Sequence, residues 1–375
     1  MRRLPVFVSL VLVGCGSSGS SETPAPAAET GTPQIAMPAA DTLSYAVDKT
    51  GPFKVGHRVK EITYTPPVGG PRTINIEYWY PSLDAEGDQA KYLGVFSDPE
   101  TFEGASLAPP ADGKGYPVHV YSHGSSGFPA TSFRMARYFA SHGWLYVAPT
   151  HIGNTLGSPE GKDRPFPLFY LRSTDVTAAL DTLKSEFGGK ARADRVVMSG
   201  HSFGGYTTWA SMGAKFDMVA IKKMCDAGSW TIPCKPEDLA VLEKGVADAR
   251  IVAGIPMAGG NQDMFSDYDA PKKPVLLMSG SDDVSGQPIV DKVTTLDLVW
   301  LEFAGGCHQL FAMGGCAKFD ETLGWSLTNT HALAFARRLI LGDKGPRTTA
   351  IVTGTEPLSA KITFRHKGTF TAPPE

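Results

Sequence analysis

Apolar and polar residues alternate with period two at 58–65 (RVKEITYT) and again at 74–80 (INIEYWY). Between them Pro66, Pro67, Gly69, Gly70 and Pro71 interrupt the chain. Two half-buried runs joined by a turn predict an antiparallel pair of strands. The stretch 81–115 has little period and reads as loop. From residue 118 the pattern changes to short, continuous apolar runs at 118–122, 145–148, 195–199, 251–257, 275–279 and 298–303. Helical spacing appears between them at 132–142, 173–187 and 204–212, and after them at 330–341, with Gly143 and Gly188-Gly189 as closing residues. Continuous apolar runs alternating with helices predict βαβ units around a mostly parallel sheet whose strands are buried on both faces. The expected fold class is therefore α/β, an eight-stranded sheet with helices on both sides. The segment 215–248 is longer than a simple connection and reads as a lid-like insertion. After the domain, 346–375 reads as a C-terminal tail with one strand-like piece at 360–365.

The amino-terminal end has a different character. Arg2 and Arg3 precede an apolar run at 4–13, the pattern of a secretory signal and too short to span a bilayer, which takes roughly 20 residues. The run ends Leu12-Val13-Gly14-Cys15, which resembles a bacterial lipobox. That resemblance implies cleavage after residue 14 and acylation of Cys15, hence an exported protein held on a bacterial membrane by its lipid. Residues 15–50, rich in Ser, Pro, Ala, Thr and Gly, read as a flexible tether, and 51–345 as the folded domain. The chain of 375 residues is 42% hydrophobic, ample for a large core, and its net charge of −3 gives no sign of a nucleic-acid partner.

Four cysteines remain after Cys15: Cys225, Cys234, Cys307 and Cys316. In an oxidising compartment an even set suggests disulfides. Three pairings exist, and the local one, Cys225 with Cys234 and Cys307 with Cys316, is the natural expectation. The spacings do not match a zinc pattern, and no metal or organic cofactor is implied.

The strongest chemical signal is Gly200-His201-Ser202-Phe203-Gly204-Gly205, placed after the apolar run RVVMS and before a helical stretch. That context fits a nucleophile elbow, a serine on a tight strand-to-helix turn of an α/β-hydrolase fold. A serine hydroxyl needs a base, and in this fold the chain order is Ser, acid, His. His308, in the loop after the last apolar run, is the expected base; His331 sits in a helix and reads as a packed or surface residue. The acid belongs in the loop after 275–279, where spacing favours Asp283, with Asp282 as its alternative and Asp263, after the preceding run, as a third option. Two donors are needed for the oxyanion: the N–H of Phe203 and, from the loop His123-Gly124-Ser125-Ser126-Gly127, that of Ser125. His123 and His201 read as structural. Phe128, Trp144, Trp209 and Trp230 are candidates for an acyl pocket or for core.

At this point the chain resembles platelet-activating-factor acetylhydrolases and their bacterial relatives, the predicted dienelactone hydrolases. The likeness rests on VHVYSHGSSGFPATSFRMARYFASHGWLYVAPTHIGNT from Val118, on GHSFGG, on AGGCHQLF and on YWYPS after the opening pair. It implies cleavage of carboxylic esters, small or polymeric, through an acyl-serine intermediate, with Ser202, His308, Ser125 and Phe203 at matching positions. The pattern departs where acetylhydrolases of the eukaryotic type carry their acid, because Ala258 stands there; Asp283 then matches the usual superfamily position, as in bacterial polyester hydrolases. A dienelactone hydrolase would carry a cysteine in place of Ser202. The remaining readings are an amidase or peptidase on the same residues, and a non-catalytic surface lipoprotein.

Overall fold

The computed structural model describes residues 32–158, 165–228, 232–259 and 262–368. The expected leader at 1–14, Cys15 and Trp230 lie outside the described residues. Residues 33–50, expected as part of the tether, belong to the same compact unit as the rest of the described chain. Ile35 N–H donates to the Leu83 carbonyl at 2.7 Å, Val47 is buried, and Arg337 donates to the carbonyls of Leu43 and Tyr45 at 2.7 and 2.6 Å. The segment is held largely through backbone carbonyls, which leave no apolar pattern to read.

Strands β1 (Lys54–Tyr64) and β2 (Arg72–Ser82) form the predicted antiparallel pair, in register from Lys54 opposite Ser82 to Tyr64 opposite Arg72. The stretch read as loop holds two more strands, β3 (Gln89–Tyr92) and β4 (Phe96–Glu103), at that edge of the sheet. Their inward-facing set includes a charge: Asp98 is buried and accepts from Tyr92 Oη at 3.0 Å, Thr101 Oγ1 at 2.8 Å and Arg137 Nη1 at 2.7 Å. A buried carboxylate where an apolar residue would mark the period made these strands unreadable.

The chain then enters the parallel part: β5 (Tyr116–Ser122), α1 (Phe133–Ser141), β6 (Leu145–Pro149), α2 (Leu168–Glu186), β7 (Ala191–His201) and α3 (Phe203–Met212). The insertion follows, with β8 (Lys215–Phe216), α4 (Met218–Asp226) and α5 (Pro236–Lys244); Cys225 and Cys234 are joined across it. Next come β9 (Ile251–Met257), β10 (Phe265–Asp267, paired with β8), β11 (Val275–Gly280), α6 (Gly286–Lys292), β12 (Leu298–Phe303), α7 (Glu321–Ile340), α8 (Pro346–Thr353) and β13 (Ile362–Lys367). The large sheet has eleven strands in the order β13-β12-β11-β9-β7-β5-β6-β2-β1-β4-β3. The eight expected strands are its centre, and β3, β4 and β13 extend both edges. The expected tail is thus partly sheet: β13 runs antiparallel to β12, from Leu298 opposite Lys367 to Phe303 opposite Ile362.

Two cores flank the sheet. Residues of α2, α3 and α6 pack on one face and those of α1, α7 and α8 on the other. Every residue of β5 is buried, the reason its run is continuous. Helix α2 is buried on more than one side. Tyr170 Oη donates to Asp238 of α5 at 2.7 Å, while Arg172, Ser173 and Asp175 are all at most 1% exposed. Its polar residues therefore mark interior contacts, not a solvent face. Trp144 and Trp209 are core residues, packed edge-on against Phe139 and Tyr268.

Chain order and sheet order part company at β5. The chain leaves β5 for β6 on one side and returns to β7 on the other. Such a switch at the carboxyl ends of the strands is the usual ligand position in open α/β sheets.

Candidate active site

Strand β7 ends at His201 and α3 begins at Phe203, so Ser202 must turn the chain within one residue. It does so at φ 56°, ψ −115°, a region that costs a side-chain-bearing residue about 1–3 kcal/mol and is kept where function needs it. The turn is held by Ser202 N–H donating to the Met257 carbonyl at 2.9 Å and by Gly205 N–H donating to the Ser202 carbonyl at 2.9 Å. Two glycines make it sterically feasible. A Cβ at Gly200 would strike the Gly204 carbonyl, and one at Gly204 would strike the carbonyl of Ser122. The sequence spacing therefore follows from three backbone segments sharing one small volume.

The loops after β11 and β12 lie side by side because those strands are paired, with Gly280 opposite Phe303. Asp282 and Asp283 follow β11, and their N–H groups donate to the carbonyls of Gly306 and Gly280 at 2.9 and 3.0 Å. The two carboxylates then separate. Asp283 Oδ2 accepts from His308 Nδ1 at 3.2 Å and from Ser285 Oγ at 3.0 Å, whereas Asp282 turns to Lys318 Nζ at 2.9 Å. Burial works against ionising Asp283, and the hydrogen bonds and charge of the His308 side, with Ser285, override it and hold the carboxyl below its usual range. Asp263 lies in the exposed turn before β10.

His308 meets the elbow through His201. His201 Nε2 donates to the His308 carbonyl at 2.8 Å, and the two rings are 4.9 Å apart. Burial pushes His201 down to about 4, so it stays neutral over the ordinary pH range. Cys307, next to His308, is joined to Cys316, and the loop between them carries the short turn from His308 to Phe311. Both local disulfide pairings are thus present.

The loop after β5 lies against the elbow: a Cβ on Gly124 would come 3.4 Å from Ser202 Cβ and 3.1 Å from His201 Nδ1. Ser126 takes φ 56° in the same loop. Ser125 Oγ accepts from Asn154 Nδ2 at 3.0 Å. His123 Nδ1 donates to the Gly124 carbonyl at 2.8 Å, and Nε2 accepts from His151 N–H at 3.1 Å. Both bonds require a neutral ring, and burial with the nearby His151 and Arg172 keeps it so.

Ser202, His308, Asp283, Ser125 and Phe203 are therefore brought to one end of the sheet, Asp282 and Asp263 are turned elsewhere. A cavity of about 690 Å³ lies between α1, α7 and the β1–β4 edge, with Arg134, Arg137, Trp325 and Asn329 in its wall. None of the five residues above lines it. Its two arginines already meet Glu321, Asp98 and Glu100.

The sequence reading missed one group: Arg172, Asp175, His151 and Asn154, all buried and tied to the loop after β5. The available signal was weak. Asp175 falls in the helical stretch 173–187 and Arg172 just before it, where charged residues are usually solvated.

Comparison with protein-family models gives no match, and comparison with curated proteins gives none either. Among solved structures, the chain is similar to a ferulic acid esterase from Streptomyces cinnamoneus. The likeness has a TM-score of 0.57 at 19% identity and covers 84% of this chain and 96% of that one. At that identity it speaks for the fold: the chain has an α/β-hydrolase fold, a large and mostly parallel sheet flanked by helices.

Proposed function

We propose that the chain is a serine hydrolase that cleaves carboxylic esters with Ser202 as nucleophile, His308 as base and Asp283 as the acid that orients it. The observation that carries this reading is the pairing of a strained Ser202 at the β7–α3 turn with an Asp283–His308 hydrogen bond at 3.2 Å one loop away. Asp283 accepts a hydrogen bond from His308 Nδ1–H, which leaves Nε2 as the basic nitrogen. His308 Nε2 removes the Ser202 proton as Oγ adds to the ester carbonyl carbon. The oxyanion is held by the N–H groups of Phe203 and Ser125. The positive end of α3, which starts at Phe203, adds to that field. His308 then gives its proton to the departing alcohol, and in the second half it activates water to release the acid.

The ferulic acid esterase with the same fold supports an ester over other acyl compounds. The resemblance to acetylhydrolases and their bacterial relatives supports a small or polymeric ester. Export and lipidation at Cys15 belong to the same proposal, and the two disulfides fit an oxidising compartment. The test is turnover of a p-nitrophenyl ester chain-length series by wild type and Ser202→Ala, with fluorophosphonate labelling of both. Turnover and labelling lost together in the variant are the expected result. Equal turnover by Ser202→Ala overturns the reading.

A further inference from the structure

A buried cation stands behind the elbow. Arg172 of α2 is fully buried. Its Nη2 donates to Ser122 Oγ at 3.1 Å and to the carbonyl of His123. Nη1 donates to Asn154 Oδ1 at 2.9 Å, and Nε to Thr207 Oγ1 of α3 at 3.0 Å. The guanidinium carbon lies 4.6 Å from the centre of the Phe203 ring. Asn154 passes the contact on, because its Nδ2 donates to Ser125 Oγ at 3.0 Å. One side chain thus reaches both residues whose amides are proposed to bind the oxyanion: Phe203 through its ring and Ser125 through Asn154.

The proton directions along this network are fixed by its ends. Asp175 Oδ2 accepts from His151 Nδ1 at 2.9 Å, so His151 Nε2 is an acceptor and receives a hydrogen bond from Ser122 Oγ at 2.8 Å. Ser122 Oγ is then free to accept from Arg172. Asp175 is itself held by Arg72 Nε and Nη2 at 2.7 and 3.0 Å and by Tyr64 Oη at 2.7 Å. The chain of bonds runs from strands β1 and β2 through α2 to the loop after β5. Burying a guanidinium is costly unless several oriented acceptors compensate it, and here those acceptors lie around the loop after β5 and at the start of α3.

We infer that Arg172 is a positioning residue for the oxyanion site: it fixes the loop that carries Ser125 against the start of α3, so that both amides are oriented before substrate binds. The inference rests on the oxyanion assignment made under the proposed function. Preorganised donors act in the transition state and little in the ground state. Disturbing them should therefore lower kcat and leave KM nearly alone.

The experiment measures kcat and KM on p-nitrophenyl butyrate, inhibition by an alkylboronic acid, and folding by circular dichroism. It compares wild type, Arg172→Met, Arg172→Lys and Asn154→Ala. The boronic acid forms a tetrahedral anion on Ser202 and so reports the oxyanion site directly. Arg172→Met should lose about ten- to a hundredfold in kcat, less than a deleted oxyanion donor, and the same factor in boronate affinity, with KM within about twofold. Arg172→Lys should recover part of both, and Asn154→Ala, which cuts the branch to Ser125 and removes the acceptor of Arg172 Nη1, should lose roughly tenfold. A folded Arg172→Met with wild-type kcat and boronate affinity, or a loss confined to KM, overturns the inference. If Arg172→Met does not fold, Asn154→Ala decides by the same criteria. Wild type that neither turns over esters nor labels at Ser202 removes the parent reading and this one with it; an active wild type matched by its variants removes only this one.

Discussion

His201 Nε2 donates to the backbone carbonyl of His308 at 2.8 Å, so the residue before Ser202 holds the loop that carries His308. The bond joins two segments more than a hundred residues apart in sequence, and nothing in the elbow motif announces it. Its ring is buried and neutral, which keeps the donor in place across the working pH range. His201→Ala should lower kcat about tenfold with little change in KM, since leaving a buried carbonyl without a donor costs roughly 1–3 kcal/mol and lets the loop shift. His201→Gln, which keeps a donor, should recover part of the loss. Steady-state kinetics on both variants checks this, and a fall confined to KM would count against the role.

Asp282 and Asp283 are adjacent in sequence, and their carboxylates meet different partners, Lys318 and His308. Asp283→Asn keeps the shape but removes the charge that fixes the His308 tautomer, and it should cost roughly 10³- to 10⁴-fold in kcat. The Asp282 carboxylate meets Lys318 at an exposed position, a contact worth about 0–1 kcal/mol, and the neighbouring Ser281 hydroxyl at 3.5 Å. Asp282→Asn should therefore stay within about twofold of wild type. Kinetics on the pair separates the two residues; if Asp282→Asn is the damaged variant, the acid has been misassigned.

Six of the eight central strands were legible because their apolar runs are continuous and buried, and β1 and β2 because their half-buried runs alternate with period two. The edges were not: β3 and β4 bury Asp98 among hydrogen-bond donors, and residues 33–50 dock through carbonyls. The elbow was legible because its glycines answer to backbone collisions that any sequence must avoid. Of the two aspartates, spacing favoured Asp283, and only the side-chain directions separate them. Arg172 and Asp175 were hidden because their partners come from β1, β2, β5, α3 and the loop after β6, and no local window contains such a set. Short-range geometry leaves a mark in sequence; a buried polar network drawn from distant segments leaves only isolated polar residues.

The two disulfides should differ in what they protect. Each joins residues nine apart, and closing so short a loop stabilises by about 2–3 kcal/mol on the chain-entropy model. Cys307–Cys316 also anchors the backbone on which His308 sits. The double variant Cys307→Ser, Cys316→Ser should lose both thermal stability and kcat, whereas Cys225→Ser, Cys234→Ser should lose stability with kcat at the wild-type level. Melting curves and kinetics on the two double variants check the contrast. Equal losses of kcat in both would mean that the bridge beside His308 has no local role.

His57 in the β1–β2–β4 layer should give the protein a pH dependence separate from the candidate active site. His57 is 2% exposed, with Nδ1 at 2.7 Å from Glu103 Oε2 and Nε2 at 3.2 Å from Glu77 Oε2. Both ring nitrogens face carboxylate oxygens, so both carry protons. The rings of Trp79 and Tyr92 close the site at 4.9 and 5.3 Å. Burial alone would push the imidazole down, and the hydrogen bonds and charges of Glu103 and Glu77 outweigh it and bring it up to about 9. In the unfolded chain the same group titrates near 6.5. The stabilisation is therefore complete below about pH 6.5 and is lost as pH rises through about 9, because the folded state must then give up a proton that the unfolded state has already released. Glu103 is half exposed, and solvent screens its share, so the effect should be of the order of 2 kcal/mol. Urea denaturation of wild type and His57→Gln at pH 6 and pH 10 measures it. Wild type should be the more stable at pH 6, and the gap should narrow at pH 10 as the imidazolium is lost. A gap that is unchanged between the two pH values would mean that His57 is neutral in the folded protein.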